Sequence, residues 1–165
     1  PHLIPMIEVV PGEKTNQATV DDTIAVINDV GYYPCLLKKE VPGFVENRVL
    51  YAIMRECLAL VDEGVVDLEE LDLNVKWGIG YKLAVIPPMH LLDMAGMDIY
   101  TAVASYLNPD LSNASEVSPT IKALVEQGRL GMKTKGGLFD YTDEEVGALR
   151  AQRGAALVKV RKALS

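Results

Sequence analysis

Pro42-Gly43-Phe44-Val45-Glu46-Asn47-Arg48 is where the character of the chain changes, and its reading decides the fold. After it, residues 44–63 carry apolar side chains at Phe44, Val49, Ala52, Ile53, Cys57, Leu60 and Val61. That spacing draws one apolar stripe along a helix of about five turns. Proline is tolerated where a helix opens, because the amide it lacks has no partner there, so Pro42 is expected near the first turn and Gly64 at the stop.

Before the switch the pattern differs. Met6-Ile7-Glu8-Val9-Val10-Pro11 is β-branched and apolar between Pro5 and Gly12, which predicts a short strand over 6–11. Val20, Ile24, Ile27 and Val30 have helical spacing within 15–30, Gly31 follows as a stop, and Tyr33-Pro34-Cys35-Leu36-Leu37 predicts a second strand. One strand–helix–strand unit cannot cover both faces of a parallel sheet, so this piece reads as the tail of a larger α/β domain. Beyond residue 64 the helical signals continue. Asp67 with Glu70 caps a helix over 67–77 that Gly78-Ile79-Gly80 stops; Pro87-Pro88 opens one reaching 106; Ser118-Pro119 opens one to 127; Thr142 with Glu145 caps a last one to 163. Five helices thus follow one α/β piece. With no repeat or long linker in view, the boundary near residue 41 reads as a change of architecture inside one body.

The bulk numbers exclude several functions. The 165 residues are enough for a real core, and no apolar run approaches the roughly 18 residues of a membrane helix. A net charge of −7 without a basic stripe argues against nucleic acid, whose binding needs clustered Lys and Arg. A small-molecule or protein partner is expected. Cys35 and Cys57 lack both metal-ligand spacing and the density of a disulfide scaffold, which points to a reducing compartment, the cytoplasm. Pro1-His2-Leu3-Ile4-Pro5 carries neither a leader pattern nor an initiator Met, so the chain is expected to begin within a longer protein.

Few residues offer chemistry. His2 lies at the start between prolines, and His90 follows Pro87-Pro88-Met89 at a helix opening, where a packed or capping histidine is the simpler reading. Glu8 is the one charge in an apolar strand. Directed inward it needs a partner; on a half-exposed strand it faces water. Asn47 lies one turn from Phe44 and Tyr51, beside the apolar stripe, where it is either a satisfied structural amide or a partner for a bound carbonyl. Gly78-Ile79-Gly80 and Gly136-Gly137 lack the strand–turn–helix setting of a phosphate loop and read as helix stops and turns. No group of residues has metal-ligand spacing.

Four pieces in order carry a resemblance: Met6-Ile7-Glu8-Val9-Val10-Pro11-Gly12 followed by Thr15; Pro42-Gly43-Phe44-Val45-Glu46-Asn47-Arg48; the run 78–93; and Gly131-Met132-Lys133-Thr134-Lys135-Gly136-Gly137-Leu138-Phe139-Asp140-Tyr141. Together they resemble the 3-hydroxyacyl-CoA dehydrogenase family along essentially the whole chain. The resemblance implies a mainly α fold: a multi-helical, 6-phosphogluconate-dehydrogenase-like carboxyl-terminal domain over 41–165. It is preceded over 1–40 by the last strand–helix–strand piece of a Rossmann-type NAD-binding domain. In the family the helical domain closes over the acyl-CoA and builds the dimer interface, so a homodimer is implied.

The family reaction is an alcohol dehydrogenation in which a His takes the hydroxyl proton, a Glu holds that His, and an Asn contacts the His and the substrate. By motif, Glu8 matches the Glu and Asn47 the Asn; a carboxylate beside an imidazole orients it and stabilises its protonated form. The family His precedes an Asn-Pro pair, and the chain begins just after that position, so His2 does not match it. NAD is therefore implied for the full-length protein, while this chain alone is expected to bind none and to be inactive. Pro87-Pro88-Met89 stands where the family usually reads Gly-Pro-Phe, and Lys135-Gly136-Gly137-Leu138 only partly matches its Thr-Gly-x-Gly-Phe run. A short-chain 3-hydroxyacyl-CoA such as 3-hydroxybutyryl-CoA is the first substrate expected. A free hydroxy acid of the gulonate or carnitine type comes second, and a non-catalytic helical dimerisation module third.

Overall fold

Met6–Val9 forms β1 and Tyr33–Leu36 forms β2, paired in parallel with Met6 opposite Tyr33 and Val9 opposite Leu36. A computed structural model describes residues 3–164 of the chain. Parallel neighbours need a crossover, and α1 (Gln17–Asp29) supplies it. Asn16 caps α1 by accepting from the Thr19 amide at 2.8 Å, and Gly31 turns the chain back with a φ of 77°. Val20 and Ile27 are buried where α1 meets the two strands, and Leu37, just past β2, is the third buried hydrophobic side chain among the described residues. Val30, expected on the same stripe, is exposed, because the helix ends at Asp29 and Val30 only caps it.

The chain divides into two compact units, one of residues 1–52 with 148–165, the other of residues 53–147. In the first, the end of α8 (Asp143–Leu164) returns to the strand–helix–strand piece. Arg161 donates to the Gly31 carbonyl at 2.6 Å, and its guanidinium lies 5.9 Å from the centre of the Tyr32 ring.

The second unit starts within α2 (Glu46–Asp62). Glu56 on this helix accepts from the Ser112 amide at 2.8 Å, and Asp62 accepts from the hydroxyls of Ser118 and Thr120. The two Asp62 bonds fasten the start of α7 (Pro119–Glu126), which Ser118 caps, to the end of α2.

Two expectations fail here. Gly78-Ile79-Gly80 does not stop a helix. Residues after α3 (Leu68–Asn74) widen into a π-helical turn, Val75–Gly80, and run on into α4 (Tyr81–Val85). Gly80 keeps ordinary helical dihedrals, φ −59° and ψ −43°, so its freedom is not used. The stop comes at Ile86, extended at φ −124° and ψ 116° because Pro87 disfavours a helical residue before it. The expected single helix from Pro87-Pro88 to 106 is likewise two, α5 (Pro88–Ala95) and α6 (Met97–Leu107). Gly96 parts them with φ 99° and ψ 140°, and a Cβ there would lie 2.7 Å from Asp98 Oδ1.

Gly131 to Asp140 folds into a knot. Arg129 pairs with Asp140 at 2.8 Å and donates to the Gly137 carbonyl, while Gly136 bridges to both Gly131 and Asp140. Thr142 and Glu145 then open α8 as a reciprocal capping box: Glu145 accepts from the Thr142 amide at 2.7 Å, and Thr142 Oγ1 accepts from the Glu145 amide at 3.2 Å. The fold is mainly α-helical, with one two-stranded parallel sheet among the described residues.

Candidate functional site

The site is built on the stretch that opened the sequence reading. The Phe44 amide donates to the Val41 carbonyl at 3.0 Å, closing a four-residue turn with Pro42 second and Gly43 third at φ 80°. This is the type II pattern, in which proline presets the second position and only glycine enters the left-handed third without cost. Pro42 is therefore a turn residue rather than the first turn of a helix, and α2 starts at Glu46. Phe44 follows at φ 50°, a left-handed conformation that costs a non-glycine residue about 1–2 kcal/mol.

Val45 accepts the first helical bond, from the Val49 amide at 3.0 Å, and so occupies the capping position. A valine has no side-chain oxygen to give the free amides of the first turn. Glu8 supplies it from β1: its Oε1 accepts from the Val45 amide at 2.7 Å and the Glu46 amide at 3.2 Å. A carboxylate at the amino end of a helix also meets the favourable end of the helix dipole. The lone charge of the strand therefore neither faces water unbonded nor lies buried without a partner; it is half-buried and bonded to α2. Glu8 Oε2 accepts no hydrogen bond among the described residues.

Asn47 is the next residue along, in the first turn of α2. It is exposed, and its carboxamide makes no hydrogen bond among the described residues, so the satisfied, buried amide weighed from sequence is not what the fold contains. Glu8 and Asn47, far apart in sequence, are brought together because Oε1 of one holds the amide that immediately precedes the other. The residues that sequence reasoning missed are the turn pair Gly43 and Phe44 and the two amides that they aim at Glu8. The Pro-Gly dipeptide was their signal.

The other candidates fall away. His2 lies outside the described residues. His90 is exposed in the first turn of α5 and is neither packed nor hydrogen-bonded among the described residues. Among the described residues no group of three His, Cys, Asp or Glu side chains could hold a metal. Burial first, then the Asp72 and Glu56 carboxylates, pushes the Cys57 thiol up, away from the nucleophilic thiolate. For a dinucleotide the fit is negative: Gly78 and Gly80 lie in the π-helical turn and Gly136 in the knot, so neither forms a strand–loop–helix cradle for a diphosphate.

Residues 43–141 match the family described as 3-hydroxyacyl-CoA dehydrogenase, C-terminal domain. The chain is similar to 5-formyl-3-hydroxy-2-methylpyridine 4-carboxylate 5-dehydrogenase of Mesorhizobium japonicum, 54% identical over 164 residues, covering 99% of this chain and 53% of that protein. A crystal structure of an enzyme of that name, described as an NAD+-dependent dismutase, superposes with a TM-score of 0.96 at 54% identity over 99% of this chain and 53% of its own. The 3-hydroxybutyryl-CoA dehydrogenase of Clostridioides difficile is 29% identical over 140 residues, 84% of this chain and 48% of that protein. The chain thus spans about half the length of these relatives.

Proposed function

The chain belongs to the 3-hydroxyacyl-CoA dehydrogenase family, whose C-terminal domain it carries, and from that premise we propose that the full-length protein is an NAD-dependent dehydrogenase of a small free carboxylic acid bearing an alcohol or a hydrated aldehyde. The observation that carries this reading is the 54% identity along 99% of the chain with the pyridine-carboxylate dehydrogenase. It favours a free acid over an acyl-CoA, which reverses the order of the two substrate classes expected from sequence, and a substituted pyridine carboxylate takes the place of the gulonate or carnitine type. The chemistry is continuous between them. A hydrated aldehyde is itself an alcohol; it loses a hydride from carbon and a proton from one hydroxyl to become the acid.

Within this reading Asn47 bonds the substrate oxygen and the imidazole that takes its proton, while Glu8 holds that imidazole. Among the described residues Glu8 Oε2 accepts no hydrogen bond and the Asn47 carboxamide makes none, which supports those roles. NAD supplies the hydride acceptor when bound, held by residues outside the described chain. Residues 1–40 then complete the nucleotide-binding domain, 41–165 form the helical domain, and the assembly is a homodimer. With Cys35 and Cys57 both free thiols, the reducing cytoplasm is the proposed compartment.

A short-chain 3-hydroxyacyl-CoA is the second reading, favoured by the family's description and by the Clostridioides difficile relative. The test is NADH formation by the full-length protein, followed in the near ultraviolet, with 5-formyl-3-hydroxy-2-methylpyridine 4-carboxylate and with 3-hydroxybutyryl-CoA. The expected result is a kcat/KM at least a hundredfold higher for the pyridine. A preference for the CoA ester of that size establishes the second reading. Turnover of neither overturns both substrate readings, and a full-length protein that in addition binds no NAD is the non-catalytic helical module.

A further inference from the structure

Glu8 meets α2 across 37 residues of sequence, and that separation gives the contact its consequence. Val45 has no side-chain oxygen to cap α2, so an acceptor on β1 secures the first turn of the helix. The two left-handed residues before the helix, Gly43 at φ 80° and Phe44 at φ 50°, turn both amides toward that one oxygen. Resting on the site reading above, we infer that Glu8 is a positioning residue for Asn47: by holding the Val45 and Glu46 amides on Oε1, it fixes the turn from which the Asn47 carboxamide reaches the substrate.

The carboxylate therefore divides its work between its two oxygens. Oε1 sets the start of α2, and Oε2, which accepts no hydrogen bond among the described residues, is left for the imidazole. Glutamine in its place retains an acceptor of the same reach and loses the charge. Aspartate retains the charge, but a side chain one methylene shorter withdraws it from both amides.

Two measurements on the full-length protein test the inference. The first is amide hydrogen exchange at Val45 and Glu46. Glu8→Gln keeps both amides protected, whereas Glu8→Ala and Glu8→Asp speed their exchange about tenfold or more; unchanged exchange in both of the latter overturns the inference whatever the activity does. The second is a double-mutant cycle on kcat/KM, with whichever substrate the protein turns over. Asn47→Ala is expected to cost about tenfold or more in the unmodified and Glu8→Gln backgrounds, and less than about threefold in the Glu8→Asp background, where Asn47 is already out of place. Equal losses in all three backgrounds overturn the coupling and leave the site reading standing. No loss from Asn47→Ala in the unmodified protein overturns the site reading and the inference together. Glu8→Asp keeps the test decisive if Glu8→Ala fails to fold.

Discussion

Gly137 and Gly128 show that one residue type is required for two different reasons. A Cβ on Gly137 would lie 2.8 Å from the Gly131 Cα and 3.0 Å from the Gly131 amide nitrogen, backbone atoms that cannot yield as a side-chain tip can. A Cβ on Gly128 would meet nothing within 4 Å, and only its φ of 71° opposes substitution. Gly128→Ala should cost about 1 kcal/mol and Gly137→Ala about 2–3 kcal/mol, read as the shift in urea midpoint at constant slope. Equal costs would show that the knot relaxes around the added methyl. The same scale explains what sequence made legible at the site. Glu8 stood out as a lone charge among Ile7, Val9 and Val10, and Pro42-Gly43 stood out as the point where the chain changes character, with Pro42 expected in a helix opening where the fold has a turn. Their connection was not legible, because the need for a remote acceptor arises from what Val45 lacks, and the oxygen that answers it lies 37 residues away.

At the scale of elements, periodicity found the helical runs and misjudged their breaks, because glycine permits a stop without enforcing one. Gly80 stays helical at φ −59° inside a continuous run, whereas Gly96 at φ 99° parts two helices that sequence joined. Where a break has a positive chemical cause, the reading is better: Thr142 and Glu145 open α8 as expected. The Thr142 amide first, and its hydroxyl second, hold the Glu145 carboxyl below the ordinary glutamate range. A group whose value is lowered by folding stabilises the fold fully above its unfolded value, and that contribution is lost as pH falls through the folded value. Amides in the first turn of α8 should therefore exchange faster, after correction for intrinsic rates, as pH falls from about 6 to below about 4. Glu145→Gln should remove that dependence. A loss of protection on raising the pH over the same range would contradict the sign.

In the molecule as a whole, the apolar side chains outnumber the places the chain gives them. Within residues 53–147 no hydrophobic side chain among the described residues is buried. On α5 and α6, which pack on each other, Met89 is 67%, Met94 71% and Tyr106 65% exposed. Scattered apolar residues are ordinary on a surface, but large ones this exposed on two adjoining helices lead us to predict that a partner covers them. Methionine suits such a face, because an unbranched, polarizable side chain adapts to its partner. A second copy is the partner we predict, since a twofold axis lets one face cover its own image. These 165 residues carry −7, so this part of two copies repels at long range, and an attraction between them has to come from apolar contact that salt does not weaken. The full-length protein should therefore sediment as a dimer at low and at high ionic strength alike. Burying a large apolar side chain is worth about 1.5–3 kcal/mol, so Met94→Glu, which also places a charge in a dry contact, should weaken dimerisation about a hundredfold or more. A monomer at micromolar concentration, or a Met94→Glu dimer as tight as the unmodified one, would assign this face to another part of the full-length chain.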